Sequence, residues 1–231
     1  LSTAGALSWP GSSLTTFAVI LRDKDTVGAG GVSAYLLAFG LPSIFMAPIS
    51  GLIADKFSSR QVILPALAVM GLSSSSLAFG LPVWWTPFAL LITASAGTLV
   101  GPAFQAAQVS VTEPTDLPRV TGLMQSMASL GSLFAPALGG ILVSTTGYFW
   151  PFIIDAFSFW LLALTFLAIG LNRSPVKHEE GEKIKALAGL KFVFGDRLIR
   201  ALVILVGVLI IALGSFNVGE VFLIKDELKA S

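Results

Sequence analysis

GLIADKFSSRQV, residues 51–62, joins two long apolar runs through three charges, Asp55, Lys56 and Arg60. No Asp, Glu, Lys or Arg occurs over 26–54 on one side of the turn, and the next charge after Arg60 is Glu113. The same alternation continues along the chain: 1–21, 120–154, 156–172 and 201–219 are also free of charge. A helix needs roughly 20 apolar residues to cross a bilayer. Inside lipid every backbone polar group must find its partner within the fold, which leaves helices and closed barrels. These runs are too long and too uniformly apolar for the weak alternation of a membrane barrel. They predict seven spans, at about 1–21, 32–54, 61–81, 85–109, 120–144, 149–171 and 199–222. The fold class is an all-α polytopic membrane protein.

Composition agrees. Hydrophobic residues make up 55% and charged residues 12% of the chain, against about 25% charged in a soluble domain. Mean hydropathy is +0.86. There is no cysteine, so disulfides and thiolate metal sites are excluded, and the lone His178 makes no histidine cluster. The net charge of +1 implies no nucleic-acid surface. No glycine-rich phosphate cradle and no pair of acids within a span is present, so the pattern is not that of an enzyme, and no cofactor or metal is expected.

The third and fourth spans meet at LPVWWTP, where Pro82 and Pro87 stop helices and Trp84 and Trp85 suit a membrane–water interface. The fifth and sixth meet at STTGYFWP, with Tyr148 and Trp150 placed alike. Ten of the 14 Lys and Arg lie at 56–60, 119 and 173–200; Arg22, Lys24, Lys225 and Lys229 lie on the other side. Positive charge marks the cytoplasmic side, so 55–60, 113–119 and 172–200 are expected there. Within the last loop, 182–198 carries Ile184, Leu187, Leu190, Val193 and Phe194 on one face. It reads as an amphipathic helix at the inner interface or as a solvated linker. The chain opens inside an apolar run without Met and stops at KDELKAS, so it reads as part of something longer. The internal KDEL is not terminal and is no retention signal.

Two motifs carry a family resemblance. Gly51, Asp55, Lys56 and Arg60 match the loop between the second and third helices of the major facilitator superfamily; Ser58 stands where that pattern has Gly, and Gln61 where it has a second basic residue. GLMQSMASLGSLFAPALGGIL, from Gly122, resembles the family's antiporter signature through Gly122, Gly131, Pro136, Gly139 and Gly140, with Ala135 in place of Gly. LSWPGSSLTTFAV at 7–19, FIIDAFSFWLLAL at 152–164 and the stretch 189–231 are similar to the drug-efflux branch that includes macrolide and siderophore exporters.

The resemblance implies half of a twelve-helix transporter. Residues 1–171 would form the amino-terminal six-helix transmembrane bundle. Residues 172–198 would be a cytoplasmic interdomain loop with an amphipathic helix, and 199–231 the truncated first helix of the carboxy-terminal half. The implied activity is export of hydrophobic or amphiphilic small molecules, such as macrolides, across a bacterial inner membrane by proton antiport. A siderophore or lysolipid carrier of the same fold, or a non-transporting half-carrier fragment with an assembly role, stays open as an alternative. The partners are then the small-molecule substrate, protons, the lipid bilayer and the missing carboxy-terminal half.

Residue roles follow. Gly51, Asp55, Lys56 and Arg60 would form a conformational latch, Asp55 pairing with Arg60 and facing a helix of the missing half. Small residues of the fifth span would allow close helix approach and Pro136 would kink it, sealing the interface between halves. Asp155 is the one acid inside a span. Charge there is costly and should face protein or water, as a proton carrier or as a structural partner near the outer interface. Glu220 is the second proton-coupling candidate. Gln105, Gln108, Gln125 and Asn217 are the polar candidates for a cavity lining, with Phe17, Phe39, Phe104 and Met46 as apolar wall. Gly97 and Gly101 read as a packing pair.

Overall fold

The structure, a computed structural model, describes residues 15, 18, 19, 22, 23, 34, 35, 37, 38, 40–42, 45–47, 49–170, 195–202, 204 and 205. The chain divides into two compact units, 1–178 and 179–231. In the second, the Asp196 carboxylate accepts hydrogen bonds from the backbone N–H of Leu198 and Ile199 at 2.8 and 3.1 Å. That N-cap opens a helical stretch at 197–202, close to where the seventh span was expected. The amphipathic segment, Asn217 and Glu220 fall outside the described residues.

The first unit is helical throughout its continuous part: 49–56, then α1 (Ser59–Ala78), α2 (Trp85–Val111), α3 (Leu117–Thr146) and α4 (Phe149–Ile169). These are the third to sixth expected spans, with ends within three residues of the expected ones. α1, α2 and α4 are long and apolar enough to cross a membrane; 20 residues at 1.5 Å each give α1 about 30 Å. The connections at 79–84 and 147–148 define one end of the bundle, called distal below; those at 57–58 and 112–116 define the proximal end. Gly80 and Gly147 turn the chain at the distal end with φ of 66° and 79°, values that need no side chain.

α1 packs along both α2 and α4, while α3 rests against α4. The packing has a seven-residue register. α4 buries Phe152, Phe159 and Phe166, with Asp155 and Leu162 at the intervening seam positions. α2 buries Ala89, Ala96 and Ala103 at the same interval, small residues that let α1 come close. α1 presents Ile63, Leu67, Met70, Ser74 and Leu77. The opposite faces keep large apolar residues exposed, among them Val69, Leu72, Phe157, Leu161 and Leu164. That outer surface suits lipid as solvent.

The buried apolar residues form two clusters. The proximal one contains Ile63, Leu67, Met70, Ala103, Phe159 and Phe166. The distal one contains Ala18, Val19, Tyr35, Leu77, Ala89 and Phe152. Ser74 on α1 and Asp155 on α4 lie between them in register, and both are buried.

α3 bends by 48° between Leu117–Phe134 and Ala137–Thr146, at the position of Pro136. The bend falls where the sequence predicts a kink. Much of α3 is uncovered, including Leu123, Leu130, Leu133 and Leu138.

A close approach of helices in this unit is made at Gly71, rather than at the Gly97 and Gly101 pair. A Cβ at Gly71 would lie 2.8 Å from Trp160 Nε1, whereas one at Gly97 meets only Met70 Cε at 3.5 Å and one at Gly101 meets nothing within 4 Å. Overpacking costs about 1–3 kcal/mol, and replacing a helical Gly by Ala gains up to about 1 kcal/mol. Gly71→Ala is therefore expected to lower the thermal unfolding temperature in detergent, and Gly101→Ala to raise it. Equal shifts for the two would show that the α1–α4 contact at Trp160 does not limit packing.

Candidate functional site

The polar interior of the first unit is concentrated toward the distal end, in two adjoining clusters. The deeper one is built on Asp155, 0% exposed and six residues into α4, about 9 Å along its axis. Oδ2 accepts hydrogen bonds from the Thr15 hydroxyl at 2.6 Å and the Ser74 hydroxyl at 2.8 Å. Ser74 Oγ also lies 3.3 Å from the Phe152 carbonyl. Both donors reach the same carboxylate oxygen, and Oδ1 is buried without a hydrogen-bond partner. No cation pairs with Asp155 among the described residues; the ion pair found there is Arg22–Asp23. Three chain segments thus meet on one carboxyl group whose charge they do not neutralise.

The second cluster lies one turn further toward the distal end. Arg22 Nε donates to Asp23 Oδ1 at 2.8 Å and Nη2 to Oδ2 at 3.2 Å. Asp23 Oδ2 also accepts from Tyr35 OH at 2.8 Å and from the Thr86 hydroxyl at 3.1 Å. Arg22 continues to Thr86 Oγ1 at 2.7 Å and to the Leu77 carbonyl at 3.1 Å. Its guanidinium lies over the Phe152 ring, 5.3 Å from the centroid, within cation–π range. Asp23 is 2% exposed. Burial alone pushes its carboxyl up; the hydrogen bonds from Arg22, Tyr35 and Thr86 and the Arg22 charge outweigh that and hold it below its ordinary value of 3.8.

This cluster was not among the sequence candidates. In the sequence Arg22 reads only as a loop charge, and nothing there singles out Asp23, Tyr35 or Thr86. Adjacent opposite charges at the end of an apolar run were the one available signal.

The motif residues are placed differently. Asp55 is half-buried and Arg60 exposed, and no salt bridge joins them among the described residues. The expected Asp55–Arg60 pair is therefore absent within this chain. The turn is held instead by its two departures from the family pattern. Ser58 caps α1, its Oγ accepting from the Gln61 backbone N–H at 3.4 Å while Gln61 Oε1 accepts from the Ser58 N–H at 3.1 Å. This is a capping box, legible as S-x-x-Q. Lys56 Nζ lies 5.9 Å from the Phe57 ring centroid.

A Cβ at Gly51 or at Gly122 would meet nothing within 4 Å, so neither mediates close packing among the described residues. In α3, Gly139 is buried and Gly131 and Gly140 half-buried; Gln105 and Gln125 are exposed and Gln108 half-buried. Trp85, expected at the interface, also donates Nε1 to Ser76 Oγ at 2.9 Å across the distal turn. Neighbouring Trp84 is 65% exposed. No group of three or more His, Cys, Asp or Glu suited to a metal ion occurs among the described residues.

Comparison with known proteins places these features in a family context. Residues 1–225 match the family model of the Major Facilitator Superfamily. The chain is 26% identical over 219 residues to the multidrug efflux pump Tap of Mycobacterium tuberculosis, covering 87% of this chain and 51% of the relative. It is 25% identical over 194 residues to multidrug resistance protein 1 of Bacillus subtilis, covering 83% and 48%. Against the enterobactin exporter EntS of Shigella boydii it is 26% identical over 176 residues, covering 71% and 41%. The chain spans about half the length of the first of these relatives.

Lowering of the Asp23 pKa sets a sign for acid stability. A depressed carboxyl contributes stability that is complete above its ordinary value and lost as pH falls through the lowered one. The wild-type chain is expected to lose unfolding temperature as pH drops below 3.8, and Asp23→Asn to lack that component. Asp23→Ala, which strands a part-buried guanidinium, is expected to cost about 3 kcal/mol or more. Parallel acid titrations of wild type and Asp23→Asn would contradict the assignment.

Proposed function

Because this chain belongs to the major facilitator superfamily, we propose that it forms the amino-terminal half and the following helix of an exporter of hydrophobic or amphiphilic small molecules, driven by proton antiport. The observation that carries the proposal is Asp155, a carboxylate buried between two apolar clusters with no cation beside it among the described residues. Charge in such a place is costly unless it is paired or neutralised. A proton is the neutralising ion that suits the site, because it needs one free oxygen and Oδ1 is free of partners. A metal cation would need several more oxygens than Thr15, Ser74 and Phe152 provide. Glu220 remains the second candidate. The energy source is then the proton gradient and no cofactor takes part.

The rest of the proposal concerns the second half. Asp55, unpaired with Arg60, is available to meet a helix terminus across the interface between halves, with Gly51, Lys56 and Arg60 completing the latch. The kinked, uncovered α3, carrying Gly122, Gly131, Ala135, Pro136, Gly139 and Gly140, would form the seal against that half. Breaking and remaking these contacts would give alternating access. The distal end is then the outer face and the proximal turns are cytoplasmic, in a bacterial inner membrane. Residues 1–171 are the six-helix bundle, 172–198 the interdomain loop and 199–231 the start of the second half. Gln105, Gln108, Gln125 and Asn217 would line the substrate cavity. The named activities of two relatives, multidrug efflux and enterobactin export, support drugs first and a siderophore as the second reading.

The test is uptake of a fluorescent amphiphilic drug into vesicles carrying the whole transporter under an imposed pH gradient. Asp155→Asn is expected to bind drug but to lose gradient-driven accumulation, by roughly tenfold or more if that carboxyl carries the proton. Undiminished gradient dependence would remove Asp155 from coupling and turn attention to Glu220→Gln.

A further inference from the structure

The Arg22–Asp23 cluster lies above the Asp155 site on each chain segment that builds it. On α4, Arg22 touches Phe152, one turn distal to Asp155. On α1 it donates to the Leu77 carbonyl, one turn distal to Ser74. In the chain it follows Thr15 by seven residues, and both are helical. Three walls therefore place the same guanidinium between Asp155 and the distal end. The ties to Tyr35 and Thr86 add the second span and α2, so five spans are fastened at one level.

The two directions away from Asp155 differ in chemistry. On the proximal side its neighbours along the seam are Met70, Leu67 and Phe159, all buried and apolar, and no titratable group faces it there among the described residues. On the distal side the groups are Arg22, Asp23 and Tyr35, with the Thr86 hydroxyl among them. Water and protons move through polar, hydrogen-bonded groups and are excluded by packed apolar ones. Exchange between Asp155 and its surroundings is accordingly easier on the distal side, and the ion pair blocks that route.

We propose that the Arg22–Asp23 pair, fastened by Tyr35 and Thr86, is the distal gate of the Asp155 site: while the pair is closed Asp155 is sealed, and swinging the guanidinium off Phe152 and Leu77 opens it to the outside. The gate holds by two charge-assisted hydrogen bonds to Asp23 and by two neutral acceptors, the Leu77 carbonyl on α1 and the Thr86 hydroxyl on α2, all remade by a side-chain rotation rather than by helix movement. Arg22 is a positioning residue that controls access; it does not carry the proton. The purpose assigned to the gate rests on Asp155 as the coupling carboxyl, but its existence can be tested without transport.

The chain has no cysteine, so Asp155→Cys introduces its one thiol. Any cysteine elsewhere in the whole transporter would be replaced. The labelling rate of that introduced thiol by a membrane-impermeant cationic thiosulfonate is measured from each face of the membrane, with Trp84→Cys as the exposed reference. With Arg22 in place, the thiol at position 155 is expected to label far more slowly than the reference. Adding Arg22→Ala should raise the rate by roughly tenfold or more from the distal face alone, since it removes charge-assisted bonds. Asp23→Asn, which keeps the shape and removes the charge, should give a smaller rise of the same sidedness; it also answers the question if Arg22→Ala does not reach the membrane. Fast labelling with Arg22 in place, unchanged rates in the variants, or a rise equal from both faces would each overturn the gate. Drug accumulation unaffected by Asp155→Asn would instead overturn the coupling role and leave the gate standing.

Discussion

A carboxylate with no cation beside it among the described residues, placed at a seam position of a helix that otherwise buries phenylalanine, is the constraint around which this bundle is arranged. Asp155 interrupts the run Phe152, Phe159, Phe166 on α4, where an apolar residue would pack without difficulty. A buried charge is tolerated only if it is bonded, paired or neutralised. The sequence of α1 answers with serines at the same level. Ser73 donates to the Ala89 carbonyl on α2 and Ser74 to Asp155, while Ser75 and Ser76 return to their own helix. The polar layer thus links three helices and separates two apolar clusters. Its hydroxyls satisfy one carboxylate oxygen and leave the other without a partner.

The two ends of the bundle are stabilised by different means. At the proximal turn a local device suffices: Ser58 and Gln61 cap α1 reciprocally, and the charges of the turn stay free for a partner elsewhere. At the distal end the cross-links are long-range. Arg22 and Asp23 gather Tyr35, Leu77, Thr86 and Phe152 into one knot. α3 is not part of that knot. It is kinked, rests on α4 and presents an apolar face.

The helices were legible because each one is written in its own stretch of chain. A charge-free run of this length has one stable conformation in lipid, and prolines, glycines and tryptophans mark its ends. Asp155 was legible for the same reason, as a lone acid in such a run. The kink at Pro136 needed only the residue. The distal knot was not legible, because it is assembled from positions 22, 23, 35, 77, 86 and 152, and no local pattern announces which of these meet. The latch turn departs from expectation in one respect: Asp55 and Arg60 are close in sequence, but the helix start between them takes Ser58 and Gln61 as its caps, and the charges do not meet. The seven-residue interval of phenylalanines on α4 and alanines on α2 was present in the sequence and fixes which faces pack.

The central claim is that Asp155 exchanges a proton within the folded bundle. The most direct measurement is pH-difference infrared spectroscopy of the whole transporter in lipid, comparing wild type with Asp155→Asn. The account predicts a protonated-carboxyl C=O band that disappears as pH rises and is missing from the variant. A wild-type spectrum with no such band, or a band that survives Asp155→Asn unchanged, would contradict it.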